Sequence, residues 1–254
     1  MKNWIKTQAL YRSLLGKELK AKYKNTFLGY GWSLLMPLLQ SAVFFVVFSL
    51  FLRFPIENYF LFLTIGLVVW QFFSNSLTQG ANVLVSNANL IRKTPVPREL
   101  FVSATVGAEL VHLLVTLPVL LVLSLLCARH PGWETFYALP AGILSLVLFS
   151  RGLAGMVSIL NAYFRDLERI LQILLQIWFY VTPIFYRADQ IPERFRFLFL
   201  FNPLYYPVEL FRCCFYESGP EWKKAIAGVL CGLIVYLLGR CFFRRFERDL
   251  AEVL

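Results

Sequence analysis

The residues best suited to nucleophilic, acid–base or metal chemistry in this 254-residue chain are two histidines, His112 and His130, and five cysteines, Cys127, Cys213, Cys214, Cys231 and Cys241. Their spacing supports none of it. Neither histidine has a Ser, Cys or metal-ligand cluster near it in sequence, and the cysteines form no C-x-x-C pair with a His at zinc-ligand distance. The cysteines read as small apolar fillers, with a disulfide at Cys213 or Cys214 as the alternative. The Gly16-Lys17 pair would need Gly at position 11 and Ser or Thr at 18 to make a phosphate-binding loop, and Tyr11 and Glu18 stand there instead. If ATP drives this protein, another polypeptide binds it. A membrane-embedded glycosyl- or acyltransferase would gather several polar groups at one face, whereas Asp166, Glu168 and His112 are isolated.

Charges inside apolar stretches are costly and are normally paired or functional. Glu109 and Arg151 fall about equally deep from the same end of neighbouring apolar runs at 1.5 Å per helical residue, so they are expected to pair. Such a pair would serve either as a clamp between helices or as part of a substrate's path. Aromatic residues gather near the ends of the apolar runs, among them Tyr30, Trp32, Trp178, Phe179 and Tyr180, where interfacial anchoring is their ordinary role.

The elements that must position these residues follow from composition. Apolar residues make up 58% of the chain, 25 of them Phe, and mean hydropathy is +0.62. A soluble domain cannot hide that much apolar surface, so the chain reads as an all-α integral membrane protein without room for a soluble catalytic domain. Hydropathy predicts six spans at about 32–52, 60–80, 102–127, 138–160, 168–186 and 222–243. The second is the weakest, and its polar end implies that it faces protein. Residues 1–31 form a separate cytoplasmic segment before the membrane domain, 32–254. That first segment is charged, so no cleavable signal peptide is read there.

An even number of spans puts both termini on one side. The segments on that side carry about twice as many Lys and Arg as the opposite ones, which favours cytoplasmic termini. The net charge of +10 reflects this bias and an affinity for anionic lipid rather than for nucleic acid. In the N-terminal segment Ile5, Leu10, Leu14, Leu15 and Leu19 recur near helical spacing among lysines, which predicts an amphipathic helix on the inner membrane face. The polar stretch "SNANLIRKTPVPREL" (Ser86–Leu100) surfaces on the cytoplasmic side, with a short helix over about 83–93 that Pro95 and Pro97 stop. Residues of about 189–218 are apolar but broken by Pro203 and Pro207, and read as re-entrant or interfacial helices.

Four landmarks, "ELKAKYKNTFLGYGWSLLMPLL", "WQFFSNSLTQGANVLVSNANLIRKTPVPRELF", "YFRDLERILQILLQIWFYVTPIFY" and "NPLYYPVELFR", occur in this order. Together they resemble the membrane subunit of bacterial polysaccharide ABC exporters, the O-antigen and teichoic-acid group often called Wzm and TagG. Thr182 replaces an expected Ser, and "TPVPRE" a commoner "VYFPRE". The resemblance implies the type-2 exporter fold: six spans, an N-terminal interface helix and re-entrant helices before the last span. It implies a homodimer with a central channel, in the bacterial inner membrane, working with two copies of an ATPase that binds ATP and Mg. It places a coupling helix at about 83–93, with Asn87, Asn89, Arg92, Lys93 and Arg98 facing that ATPase. Tyr30, Trp32, Trp178, Phe179 and Tyr180 match its channel-lining aromatics, and Lys20, Lys22 and Lys24 would guide an anionic lipid headgroup.

The implied cargo is a lipid-linked polysaccharide, O-antigen first, with capsule and teichoic acid open. An ATP-independent flippase is the reading from another class. It would place acidic residues deep in several spans, and only Glu109 fits that.

Overall fold

An apolar chain in lipid must satisfy its backbone internally, which the α-helix does within one segment. The computed structural model describes residues 2–23, 29, 31–51, 55–93, 96–216, 219, 222–247 and 250, and among these the regular structure is entirely helical. Helix α1 (Lys2–Tyr23) precedes α2 (Gly31–Phe45), which widens into a π-helical stretch at Val46–Phe51. Then come α3 (Tyr59–Ser86), the short α4 (Ala88–Lys93), α5 (Glu99–Leu126), α6 (Thr135–Tyr163) and α7 (Leu167–Val181). A loop leads to α8 (Glu193–Leu200), α9 (Tyr205–Phe215) and α10 (Trp222–Phe246).

Among the described residues four helices, α3, α5, α6 and α10, are long and apolar enough to cross a membrane. Helix α7 has 15 residues, short of the roughly 20 that a span needs, and α2 also has 15 but continues through the π-helical stretch to Phe51. Helix α7 ends at Val181, five residues before the expected end of the fifth span at 186. Pro183 lacks an N–H and restricts the residue before it, and Thr182 is accordingly extended, at φ −82° and ψ 134°.

Helix α3 is the hub. Every residue from Leu61 to Trp70 is buried, so the second span does face protein. It also runs six residues past the expected boundary at 80, to Ser86. Polar Asn75 and Gln79, just before that boundary, lower the hydropathy but stay inside the helix, because they find partners on α5.

Helices α6 and α10 meet backbone to backbone. A Cβ on Gly239 would overlap the Gly152 carbonyl oxygen, and one on Gly232 would stand 2.7 Å from that of Ser145. Close approach of small residues is how helices associate in lipid, where apolar burial no longer drives them together. A smaller version joins α3 to α6, where a Cβ on Gly80 would meet Ala154 Cβ at 2.8 Å.

At the end of the bundle near Tyr59, the loop after α7 folds back onto α3. Tyr59 Oη donates to the Phe185 carbonyl at 2.7 Å, and Gly66 leaves room for Ile184. Buried Arg212 of α9 completes the joint: its guanidinium lies 3.6 Å from the Phe62 ring centroid, and Nη2 donates to the Ile184 carbonyl at 2.8 Å. Within 189–218, α9 packs on α3 and α6, whereas α8 exposes Phe195, Phe197, Leu198 and Leu200. No disulfide is present among the described residues.

Candidate functional site

Two concave surfaces flank the contact of α2 with α3. The first is a groove of about 370 Å³ bounded by α2, α3 and α7. Its walls combine the rings of Trp70, Phe179 and Tyr180 with the amides of Gln40, Gln172 and Gln176, and Ser74 and Thr78 add hydroxyls. None of its described lining residues carries a charge. The amphipathic pattern of α7 builds this wall: Leu171, Leu175 and Phe179 turn inward, while Ile173, Leu174 and Ile177 stay exposed. Neutral amides and flat rings can hold hydroxylated ligands by hydrogen bonds and ring contacts without committing to an ionic partner.

The second is a larger cavity of about 580 Å³ where α1, α2, α3 and α5 converge. Two polar stripes face each other there. Gln71, Asn75 and Gln79 lie at i, i+4 and i+8 on α3, and Glu109, His112 and Thr116 at i, i+3 and i+7 on α5, each spacing one helix face. At their centre is Glu109, 2% exposed. Lys22 Nζ of α1 donates to its Oε1 at 2.7 Å, Gln79 to the same oxygen at 2.9 Å and Asn75 to Oε2 at 3.3 Å. A cation and two amides thus compensate a carboxylate that would otherwise be too costly to bury. A hydrogen bond from Gln71 Nε2 to Gln40 Oε1, at 3.3 Å, divides this cavity from the groove.

The expected Glu109–Arg151 pair does not form. Arg151 Nε donates to Ser103 Oγ at 3.0 Å and Nη2 to the Glu99 carbonyl at 2.8 Å, joining α6 to the first turns of α5. The Arg151 guanidinium is held at Glu99 and Ser103, and Glu109 lies six residues beyond Ser103, about 9 Å further along α5 and about 120° around it.

The expected coupling segment is also corrected. It is not one helix over 83–93: Val83 to Ser86 end α3, and the chain turns at Asn87 before α4. Asn87 is 5% exposed rather than a surface contact. It donates to the Val83 carbonyl at 2.8 Å, accepts from Leu90 N and Ile91 N, and takes a 2.5 Å hydrogen bond from Lys17 of α1. Asn89, Arg92 and Lys93 are exposed on α4, with Ile91 buried beneath them. Arg98 is partly buried, its guanidinium bonded to the Glu247 carbonyl beyond α10.

The remaining candidates divide. Lys20 is exposed, Lys22 is engaged by Glu109, and Lys24 lies outside the described residues, as does Tyr30. Trp32 borders the charged cavity. Phe179 and Tyr180 line the groove, but Trp178 turns away into the core. It packs against Phe73 and Phe149, and its indole N–H donates to Asn202 Oδ1 at 3.0 Å, because α7 turns neighbouring residues about 100° apart. Asn202 also donates to Thr182 Oγ1 and accepts from Leu204 N, which ties the loop after α7 to the start of α9. On α1, burial holds the Glu18 carboxyl above the usual carboxylate range, against the opposing pull of Lys17. The glutamines of α3 and α7 were not singled out from sequence, although amides four apart in an apolar run are the signal that marks them.

The chain matches the family model described as ABC-2 type transporter over residues 9–216. It is 33% identical over 241 residues to the O-antigen export system permease protein RfbA of Klebsiella pneumoniae, covering 95% of this chain and 93% of that one. The protein of the same name from Myxococcus xanthus is 29% identical over 248 residues, 96% of this chain and 95% of its own. The polysialic acid transport protein KpsM of Escherichia coli is 22% identical over 203 residues, with 79% and 78% covered.

Proposed function

Because the chain belongs to the ABC-2 type transporter family of membrane proteins, we propose that it is the membrane subunit of an ATP-driven exporter of lipid-linked polysaccharide. In this reading it crosses the bacterial inner membrane six times, α2 and α7 included, with both termini cytoplasmic. Residues 1–31 form the interface segment and 32–254 the membrane domain, in which α8 and α9 are re-entrant. Two copies pair so that their α2–α7 edges enclose a channel. Two copies of a separate ATPase bind ATP and Mg and hydrolyse the nucleotide, so the permease itself catalyses nothing.

The observation that carries this reading is the neutral groove between α2, α3 and α7. A membrane domain gains nothing structurally from facing Gln172 and Gln176 into a concave surface beside the rings of Trp70, Phe179 and Tyr180, since polar groups in lipid surroundings cost energy unless they have partners. Sugar hydroxyls supply such partners along a whole polymer, and rings accept sugar faces regardless of sequence. The absence of charge among the lining residues described favours a neutral polymer of the O-antigen kind over a polyanionic capsule. Arg92 and Lys93 form the exposed cationic end of α4, and they are the proposed ATPase contacts together with Asn89.

The test is co-purification in detergent with the ATPase encoded beside this protein, comparing wild type with the double variant Arg92→Glu, Lys93→Glu. A two-plus-two complex that the charge reversal weakens is the expected result. A wild-type protein that binds no ATPase overturns the exporter reading in favour of an ATP-independent flippase.

A further inference from the structure

The neutral groove leaves the larger, charged cavity without a role, and a structural one does not account for it. Fixing α1 to α5 needs only Lys22 and Glu109. Gln71 and Thr116 contribute nothing to that ion pair, yet both face the cavity, and Trp32 and Met36 form a rim that leaves it open. The hydrogen-bonding capacity left over is specific. Asn75 spends one N–H on Glu109 and Gln71 one on Gln40, so each keeps its amide oxygen as an acceptor beside a second N–H. Thr116 donates to the His112 carbonyl and keeps its own lone pairs. Acceptors beside an indole ring suit a ligand rich in hydroxyl donors, and a volume of about 580 Å³ is within the range of small-ligand sites. With the Glu109 charge balanced by Lys22, the ligand need bring no charge.

We propose that this cavity binds one or two neutral sugar units of the exported polymer, a site inside each subunit and apart from the groove. The assignment rests on the polysaccharide reading above. The sugar contacts the amide oxygens of Gln71 and Asn75 and lies against Trp32. The hydrogen bond between Gln71 and Gln40 then stands between this site and the groove, and parting the two amides joins them.

The experiment uses the polymer that the cell itself makes, so its sugars need not be known. A diazirine amino acid replaces Met36 at the cavity rim in one protein, or Gln176 in the groove in another. Each is expressed with its ATPase in cells making the polymer. After illumination the complex is purified and its permease is probed for glycan by periodate oxidation and hydrazide labelling, and for lipid by mass. The expected result is a glycan adduct at both positions. Asn75→Leu should lower the Met36 adduct about tenfold, the worth of one lost hydrogen bond near 1.4 kcal/mol, without changing that at Gln176. Because Asn75 also holds Glu109, Thr116→Val is the second variant: it removes an acceptor facing the cavity without touching a charge or the bond between Gln71 and Gln40, and it should act in the same direction. A glycan adduct at Gln176 alone, a lipid adduct in place of glycan at Met36, or a Met36 adduct that neither variant lowers overturns the cavity assignment and leaves the exporter reading standing. Glycan at neither position overturns both.

Discussion

Replacing Lys22 with Met removes the charged partner of Glu109 among the described residues while nearly keeping the length of the side chain. The consequence can be bounded from geometry. Breaking a fully buried ion pair by removing one partner costs about 3–5 kcal/mol, whereas an exposed pair is worth about 0–1 kcal/mol. This pair is mixed: the Glu109 side chain is 2% exposed and that of Lys22 31%. Gln79 and Asn75 continue to donate to the stranded carboxylate at 2.9 and 3.3 Å. A loss of about 1–2 kcal/mol follows, or a fall of about 5 °C in the unfolding midpoint for a chain of this size. Glu109→Gln should cost less, since a neutral amide keeps hydrogen-bonding capacity and frees Lys22 to reach lipid headgroups. The double variant should then lose about 1 kcal/mol less than the sum of the singles, the signature of direct coupling. Thermal unfolding of the four proteins in one detergent, followed by tryptophan fluorescence, completes the cycle. Losses that simply add would refute the pairing of α1 with α5 through these residues.

Gly239→Val should prevent packing of α6 on α10, since its Cβ would overlap the Gly152 carbonyl, at a cost beyond about 4 kcal/mol. Gly155→Ala, whose nearest neighbour at 3.4 Å is the movable end of Arg151, should be tolerated, and the yield of monodisperse protein separates the two. Asn202→Leu removes three hydrogen bonds and should cost about 3 kcal/mol, with a shift in tryptophan emission as the Trp178 indole loses its acceptor. Arg212→Leu should cost about 3 kcal/mol by stranding the buried Ile184 carbonyl and weakening the hold on Glu209, with Arg212→Lys intermediate because a point charge does not stack on Phe62 as guanidinium does. The midpoints of these variants provide the check.

The long helices were legible because their apolar runs are long: α5, α6 and α10 begin and end within a few residues of where hydropathy puts them. Boundaries failed where a polar residue stays in a helix or an apolar one leaves it. Asn75 and Gln79 continue α3 because α5 offers them a carboxylate, and Phe185 leaves α7 because Pro183 does not permit another turn. Depth could be counted along the chain, so Glu109 and Arg151 were each recognised as costly. Neither the reach of the Arg151 side chain toward the start of α5 nor the rotation of one helix against another could be counted, which is why they were matched to each other instead of to Lys22 and Ser103. For Asn87, a polar residue between two helices has the same composition whether it faces water or forms the turn. Only its bonds to Val83 and Lys17 separate the two cases.

The central position of α3 bears on how such a chain can diverge. In its most apolar stretch 78% of the residues are buried by the rest of the protein, against 22% for α10. An outward residue of α10, such as Leu230 or Leu237, has fluid neighbours that reshape themselves around any apolar substitute, so that surface can drift by single steps. Leu63 or Phe73 has neighbours that are themselves held in place, and a change there must wait for a matching change on α5, α6 or α9. The helix least exposed to lipid is therefore the one whose history is written in pairs.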